Sequence, residues 1–242
     1  MITDEERKRY ARQMLTFGEE GQERLKSASV LVAGAGGLGT VISLYLAAAG
    51  IGHLRIIDCD VVEPSNLNRQ ILHWSGDIGR PKTASVADKL AALNPLIRIE
   101  AIIARITEEN IEGMARGCDL IVDAMDNVPT RHLLNRAAVA QKIPFVHGAV
   151  RGFFGQATTM IPGKGPCLRC FFPESSPREV FPIVGAACGV IGSIEVAETI
   201  KLLTGKGEPL VGKLFIWDGL AGSAETIVIE RNPSCPVCGT LE

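Results

Sequence analysis

Aromatic side chains are scarce in this sequence, at 5% of its 242 residues. A core so poor in rings must be filled with aliphatic and small residues, as in sheets packed between helices. Also missing is an excess of charge of either sign: 25 Lys and Arg stand against 27 Asp and Glu. That balance gives no footing to nucleic acid or to an anionic membrane surface. No apolar run is long enough to span a bilayer. Val41 to Ile51 is too short, and Phe181 to Ile200 is interrupted by Glu195 and Glu198. The first ten residues are charged and lack the apolar centre of a signal peptide. The expectation is a cytoplasmic chain, in which thiols stay reduced. The seven cysteines then read as metal ligands, reactive thiols or core residues before disulfides. Four histidines, His53, His73, His132 and His147, are scattered, and none is assigned to catalysis. His147, at a strand end, reads as a satisfied core histidine.

What is present is an alternation of strands and helices. Thr3 with Glu6 forms a capping box opening a helix to about Phe17, and a short helix follows over Glu20 to Lys26. Strands are expected at Val30–Ala33, His53–Asp58, Ile97–Ile103, Leu120–Asp123 and Pro144–Ala149. Helices are expected at Leu38–Ala49, Pro81–Leu93, Thr107–Arg116 and Val128–Gln141. Such alternation predicts a Rossmann-like α/β fold, a mostly parallel sheet with helices on both faces. After Val150 the pattern changes. Strands at Phe154–Ile161, Leu214–Asp218 and Glu225–Ile229 and a long helix at Ala186–Leu203 predict an antiparallel extension. The Pro/Ser-rich stretch Phe171–Pro182 reads as a mobile loop. We expect one domain over 1–242, with a nucleotide-binding half at 1–150 and a second half at 151–242.

Gly34-Ala-Gly36-Gly37-Leu-Gly39 matches G-x-G-x-x-G between a strand and a helix, the context that gives the motif meaning. Glycines permit the tight turn and let backbone N–H groups approach phosphate at a helix N-terminus. Asp58 follows Gly36 by 22 residues, at a strand end where a carboxylate meets a ribose hydroxyl. This much suits NAD, FAD or ATP equally. The next segment favours ATP. Asp58-Cys-Asp60 leads through Asn66, Arg69 and Gln70 to Lys82, on a long loop leaving the carboxyl edge of the sheet. Arg69 and Lys82 can meet terminal phosphates, which a dinucleotide dehydrogenase does not require. Asp126 and Asn127 follow the fourth strand. Asp126 is placed to hold Mg²⁺ against a phosphate, or to cap the next helix. Asp123 reads as a structural residue at the strand end.

Cys167-Leu-Arg-Cys170 and Cys235-Pro-Val-Cys238 are two C-x-x-C knuckles, 64 residues apart. Two such pairs predict a closed, tetrahedral, four-cysteine zinc site of structural type, pinning the C-terminal tail to the domain. The remaining cysteines, Cys59, Cys118 and Cys188, read as core residues. Cys188, near a helix start, has a setting that can activate a thiol.

Taken in order, these residues resemble the ThiF/MoeB/HesA family of ubiquitin-activating-enzyme-like adenylyltransferases. The resemblance runs from Arg9-Tyr-Ala-Arg12-Gln13 through the glycine loop, Asp58-Cys-Asp60, Ser65-Asn-Leu-Asn-Arg69-Gln70, Pro81-Lys82 and Asp123-Ala-Met-Asp126-Asn127. It continues to both cysteine pairs and Gly189-Val-Ile-Gly-Ser193. It implies ATP-dependent adenylation of the Gly-Gly carboxylate of a ubiquitin-like sulfur carrier, with a sulfur donor acting afterwards. It also implies Asp58 on the ribose, Asn66, Arg69, Gln70 and Lys82 along the triphosphate, and Asp126 at Mg²⁺. Arg12 is implied to reach the phosphates of a neighbouring subunit, hence a homodimer. One departure stands out. Several relatives carry a cysteine about eleven residues before the Gly-Val-Ile-Gly-Ser string, where this chain has Arg178. No sulfurtransferase extension is expected after Cys238. Three alternatives remain: adenylation of a small-molecule or peptide carboxylate, an NAD-dependent oxidoreductase, and a silent binding module.

Overall fold

A computed structural model describes residues 1–172 and 182–241. In chain order the elements are α1 (Asp4–Arg9), α2 (Ala11–Ser27), β1 (Ser29–Ala33), α3 (Gly37–Ala49), β2 (His53–Asp58), α4 (Lys82–Leu93), β3 (Arg98–Ile103), α5 (Glu108–Ala115), β4 (Leu120–Asp123), α6 (Val128–Gln141), β5 (Phe145–Arg151), β6 (Phe154–Met160), α7 (Leu168–Phe171), α8 (Gly185–Thr204), β7 (Lys213–Asp218) and β8 (Ser223–Val228). They build one eight-stranded sheet in the order β3-β2-β1-β4-β5-β6-β7-β8. Strands β1 to β5 are parallel, and β5 to β8 pair antiparallel.

The period of two in the central strands sorts the core into two layers. In β1, Val30 and Val32 face a layer with Ile42, Leu46, Leu90 and Ile191 from α3, α4 and α8. Leu31 and Ala33 face the other, with Ile111 and Leu134 from α5 and α6. Strand β4 (Leu-Ile-Val-Asp) is buried at every position, as a central parallel strand covered on both faces must be. Among the described residues, no helix is long and apolar enough to cross a membrane.

The N-terminal helices depart from expectation. The first does not run to Phe17. It stops at Tyr10, because the Tyr10 ring turns inward until it is 3% exposed. There its hydroxyl accepts from Asn94 Nδ2 at 2.8 Å, against Gly50, where any Cβ would come within 2.5 Å of the ring. A second break falls at Gly18 (φ 73°), inside α2. Gln13 and Gln22 both donate to Ala49 O, at 2.8 and 3.0 Å, satisfying a carbonyl at the end of α3. Arg9 donates to Leu93 O at 3.1 Å. The Arg9-Tyr-Ala-Arg12-Gln13 string therefore seats the N-terminus on α3 and α4, and leaves Arg12 exposed.

Candidate functional site

The strand order reverses between β1 and β4, and there the carboxyl ends of the strands open a crevice. It is a cavity of about 420 Å³. The first residues of three helices line it: Gly37 of α3, Lys82 of α4 and Val128 of α6. Three helix N-termini present unpaired N–H groups and positive potential to one space. Five cationic side chains, Arg69, Lys82, Arg105, Arg131 and Arg151, face three carboxylates, Asp58, Asp60 and Asp126. The cavity suits a polyanion.

Each glycine of the loop has its own reason. Gly34 sits at φ +105°, and a Cβ there would lie 2.6 Å from Ala124 O. A Cβ on Gly39 would lie 2.0 Å from Gly34 O, so this glycine closes the turn against α3 and does not line the cavity. A Cβ on Gly37 would meet Cys188 Sγ at 2.7 Å. Gly36 meets nothing nearer than Gln70 Nε2 at 3.7 Å, and leaves backbone open to a ligand.

Asp58 is held by two backbone N–H donors, Ala35 to Oδ2 and Asp60 to Oδ1, each at 2.8 Å. This fixes its carboxylate beside the glycine loop. Lys82 Nζ rests on Asp60 Oδ2 at 3.0 Å. Burial pushes the Asp60 carboxyl up, but the hydrogen bond and charge of Lys82 hold it below its ordinary value. Arg69 Nη1 donates to Ser65 O at 2.9 Å and Asn68 Oδ1 at 3.0 Å. Gln70 is 4% exposed and its Oε1 has no partner, an orphaned polar atom in the cavity wall. Asn66 does not line the cavity. Its Oδ1 accepts from Glu63 N at 3.0 Å, and its backbone carbonyl accepts from the N–H groups of Arg69 and Gln70 at 3.1 and 3.0 Å. Asn66 thus shapes the turn that presents Arg69 and Gln70.

Asp126 is exposed at the opposite wall, and Asn127 caps α6 by accepting from Thr130 N at 3.0 Å. The turn between β4 and α6 is braced from beneath. Arg131 Nε and Nη2 donate to Met125 O at 3.2 and 2.5 Å, and Nε lies 3.5 Å from Asp123 Oδ2. Asp123 also meets His147 Nδ1 at 2.7 Å. His147 is fully buried, and burial lowers its pKa below the ordinary value, so the ring is neutral at pH 7 and donates to Asp123. Asp123 and His147 are both buried, and neither lines the cavity. Arg105, Arg131 and Arg151 were not singled out in the sequence, because each stands outside a motif. The available signal was position: Arg105 follows β3, Arg131 lies on the helix after β4 and Arg151 ends β5, all on the carboxyl side of the sheet. Arg12 does not line this chain's own cavity. Cys188 does, buried against Gly37, and burial pushes its thiol up to about 11. Burial there disfavours the thiolate. Arg178 lies outside the described residues.

On the far side of α6, Cys167, Cys170, Cys235 and Cys238 place their sulfurs within 4.8 Å of one another. Cys167 and Cys235 are 3.7 Å apart, Cys170 and Cys238 3.4 Å. Four sulfurs about 2.3 Å from one zinc in a tetrahedron are roughly 3.8 Å apart, so the donor set fits that ion. Burial pushes the Cys235 thiol up, but the N–H groups of Cys238 and Val237 more than offset this, and it lies at about 7.

A family model described as the ThiF family matches residues 10–237, nearly the whole chain and all of this cavity. The chain belongs to the ThiF family. It is 46% identical to the sulfur carrier protein adenylyltransferase of Thermus thermophilus, over 98% of this chain and 92% of that protein. It is 45% identical to the SAMP-activating enzyme E1 of Haloferax volcanii, over 96% of this chain and 88% of that one. Among solved structures, E. coli MccB with MccA-N7isoASN superposes with a TM-score of 0.88 at 25% identity, covering 97% of this chain and 75% of that one. MccB with ATP superposes at 0.87, with 25% identity, covering 96% and 75%.

Proposed function

We propose that this ThiF-family chain is an adenylyltransferase that activates the C-terminal glycine carboxylate of a ubiquitin-like sulfur carrier with ATP. The product is an acyl-adenylate on the way to a thiocarboxylate. One observation carries the reading: a single cavity combines the glycine loop, Asp58, Gln70 and the cations Arg69 and Lys82 with Asp126 on the facing wall. The names of the two relatives at 46 and 45% identity support the same class of substrate.

The chemistry follows from charge. An oxygen of the carrier carboxylate attacks the α-phosphorus of ATP, the bond to the β-phosphate oxygen breaks, and pyrophosphate leaves. Attacking group and phosphate repel each other, so preplaced positive charge lowers the barrier. Asp58 holds the ribose. Arg69 and Lys82 take the terminal phosphates, exchanging the neutral acceptors and the one exposed carboxylate on which they rest. Gln70 lines the same stretch, and Asn66 acts by holding its turn. Asp126 would hold Mg²⁺, which would spread the charge of the reacting phosphate. No side chain is needed as a covalent nucleophile in this step, which agrees with the burial of Cys188.

We assign carrier docking to the second half of the chain. Strand β8 is exposed throughout, and Phe153, Phe154 and Leu220 present apolar surface at the Arg151 end of the cavity, where Phe154 is the register partner of Arg151. We assign Arg12 to the cavity of a second copy, since it is exposed and absent from its own. The four cysteines take a structural zinc. A cytoplasmic location keeps these thiols reduced until metal binds, and a sulfur donor acts on the finished adenylate. A second reading, adenylation of a peptide carboxylate, draws on the likeness to MccB with MccA-N7isoASN, at lower identity. Mass spectrometry separates the two. With Mg²⁺ and ATP, a Gly-Gly-tailed carrier gains one AMP, and a carrier lacking its last glycine does not. Modification of short peptides but of no carrier would favour the second reading.

A further inference from the structure

Cys167 caps, and Cys170 lies within, a helix of a single turn, α7, which is too short to hold itself. Asn135 holds it. This residue lies on α6 and is 1% exposed. Its Oδ1 accepts the Leu168 N–H at 2.9 Å, one residue past Cys167. The other end of the amide, Nδ2, is buried and has no hydrogen-bond partner. An N–H left unpaired in a protein interior costs about 1–3 kcal/mol, and such donors are rare unless something binds there. The group beside it is Cys167. Both line the small space between α6 and the cysteine cluster. A thiol sulfur is a weak acceptor, whereas a metal-bound thiolate is a charged one, and hydrogen bonds to charged groups are the strong kind.

We propose that Asn135 is a positioning residue for the four-cysteine centre, clipping the Cys167–Cys170 knuckle through Leu168 and donating Nδ2–H to the metal-bound sulfur of Cys167. The proposal rests on the zinc reading above. It also gives α6 two ends. Asn127 caps it at the cavity, Arg131 braces the Asp126 turn one helical turn later, Asn135 grips the knuckle, and Val139 packs on the cluster. These residues recur every four positions, so they follow one slowly winding stripe. The helix that presents the Asp126 turn is thereby anchored at the cysteine centre.

Zinc content and cobalt spectra test this on the full chain. Wild type is expected to hold one zinc per chain. Asn135→Leu removes clip and donor, and Asn135→Asp keeps an acceptor for Leu168 while removing the donor. Both should release zinc to a chelator about 10–100-fold more readily. With cobalt in the site, both should move the sulfur-to-metal charge-transfer band to longer wavelength, because the thiolate loses a hydrogen bond. Val139→Ala, a packing change on the same stripe, should lower thermal stability and leave the band in place. If Asn135→Leu does not fold, Asn135→Asp decides. One zinc in wild type, held as tightly and with the same band in Asn135→Asp, overturns this inference alone. A wild-type chain that takes up no zinc or cobalt overturns the zinc reading and this inference with it.

Discussion

At the scale of single residues, two places besides Asn135 hold an unpaired polar group that bears on binding or stability. One is the cavity wall, where Gln70 Oε1 awaits a partner. The other is beneath β5, where Glu195 is 0% exposed and neither carboxyl oxygen has a hydrogen bond. Its carboxyl occupies the space of a missing side chain: a Cβ on Gly148 would lie 2.2 Å from Oε2. Burial, reinforced by the charge of Asp123 and only partly offset by Arg131, raises its pKa well above the ordinary value. The folded protein therefore favours the protonated carboxyl, which the unfolded chain gives up more readily. Its contribution to stability is full below the unfolded pKa of about 4.5 and is lost as pH rises toward the folded value. Glu195→Gln has nearly the same shape and no such loss. It should melt a few degrees above wild type at pH 8, and the gap should narrow at pH 5. Thermal melts at the two pH values check this, and equal gaps would contradict it. At the other end of the cavity, Arg151→Ala should raise KM for the carrier several-fold and leave ATP affinity unchanged. Steady-state kinetics with each substrate varied in turn read the difference.

At the scale of elements, the loop between β2 and α4 carries Arg69 and Gln70, which we propose line the triphosphate, so its rigidity matters. Asp77 is its anchor. It pairs with Lys89 of α4 and with Arg80, and accepts the Trp74 N–H at 2.8 Å. Burial pushes the Asp77 carboxyl up, but Lys89 and Trp74 N–H more than offset it and hold the group at about 2. The sign follows. The anchor is in force above the ordinary value of 3.8 and is lost as pH falls through about 2. Asp77→Asn leaves the buried Lys89 ammonium without its carboxylate, held only by Ser85 and the Trp74 ring, a defect of up to about 3 kcal/mol. It should lower the melting temperature and raise KM for ATP, even though Asp77 is not among the residues lining the cavity. Equilibrium denaturation and ATP titration measure the two effects, and an unchanged KM would show that the loop does not depend on this anchor.

The same elements show what was legible in the sequence. Strands β1, β2 and β4, helices α3, α4 and α6, and the cysteine knuckles announce themselves because periodicity and short motifs are local signals. The break at Tyr10 was not legible, since it depends on Asn94 and Gly50, far along the chain. Asn135 was silent for the same reason: an asparagine inside a helix has meaning only once Leu168 and Cys167 are brought against it. Arg105, Arg131 and Arg151 belong to no motif, and only the sheet order gathers them into the cavity.

At the scale of the whole molecule, the cavity collects its parts from α3, α4, α6 and the loops after β1 to β5, yet Arg12 is exposed elsewhere. If a second copy supplies that arginine, two inactive variants should complement each other. Arg12→Ala and Asp126→Ala should each be inactive alone. Mixed and allowed to exchange subunits, they form heterodimers in which one cavity has its own Asp126 and receives Arg12 from the Asp126→Ala copy. Activity should return to a substantial fraction of wild type, whereas an arginine acting within its own chain would leave the mixture dead. The central claim, that this cavity adenylates a carrier carboxylate, is tested most directly by ATP–pyrophosphate exchange. The purified protein is offered Mg²⁺, ATP, labelled pyrophosphate and Gly-Gly-tailed sulfur carriers, beside Asp126→Ala. The account predicts label entering ATP only when a carrier is present, and no exchange by the variant. ATP binding without exchange for any carrier would contradict it.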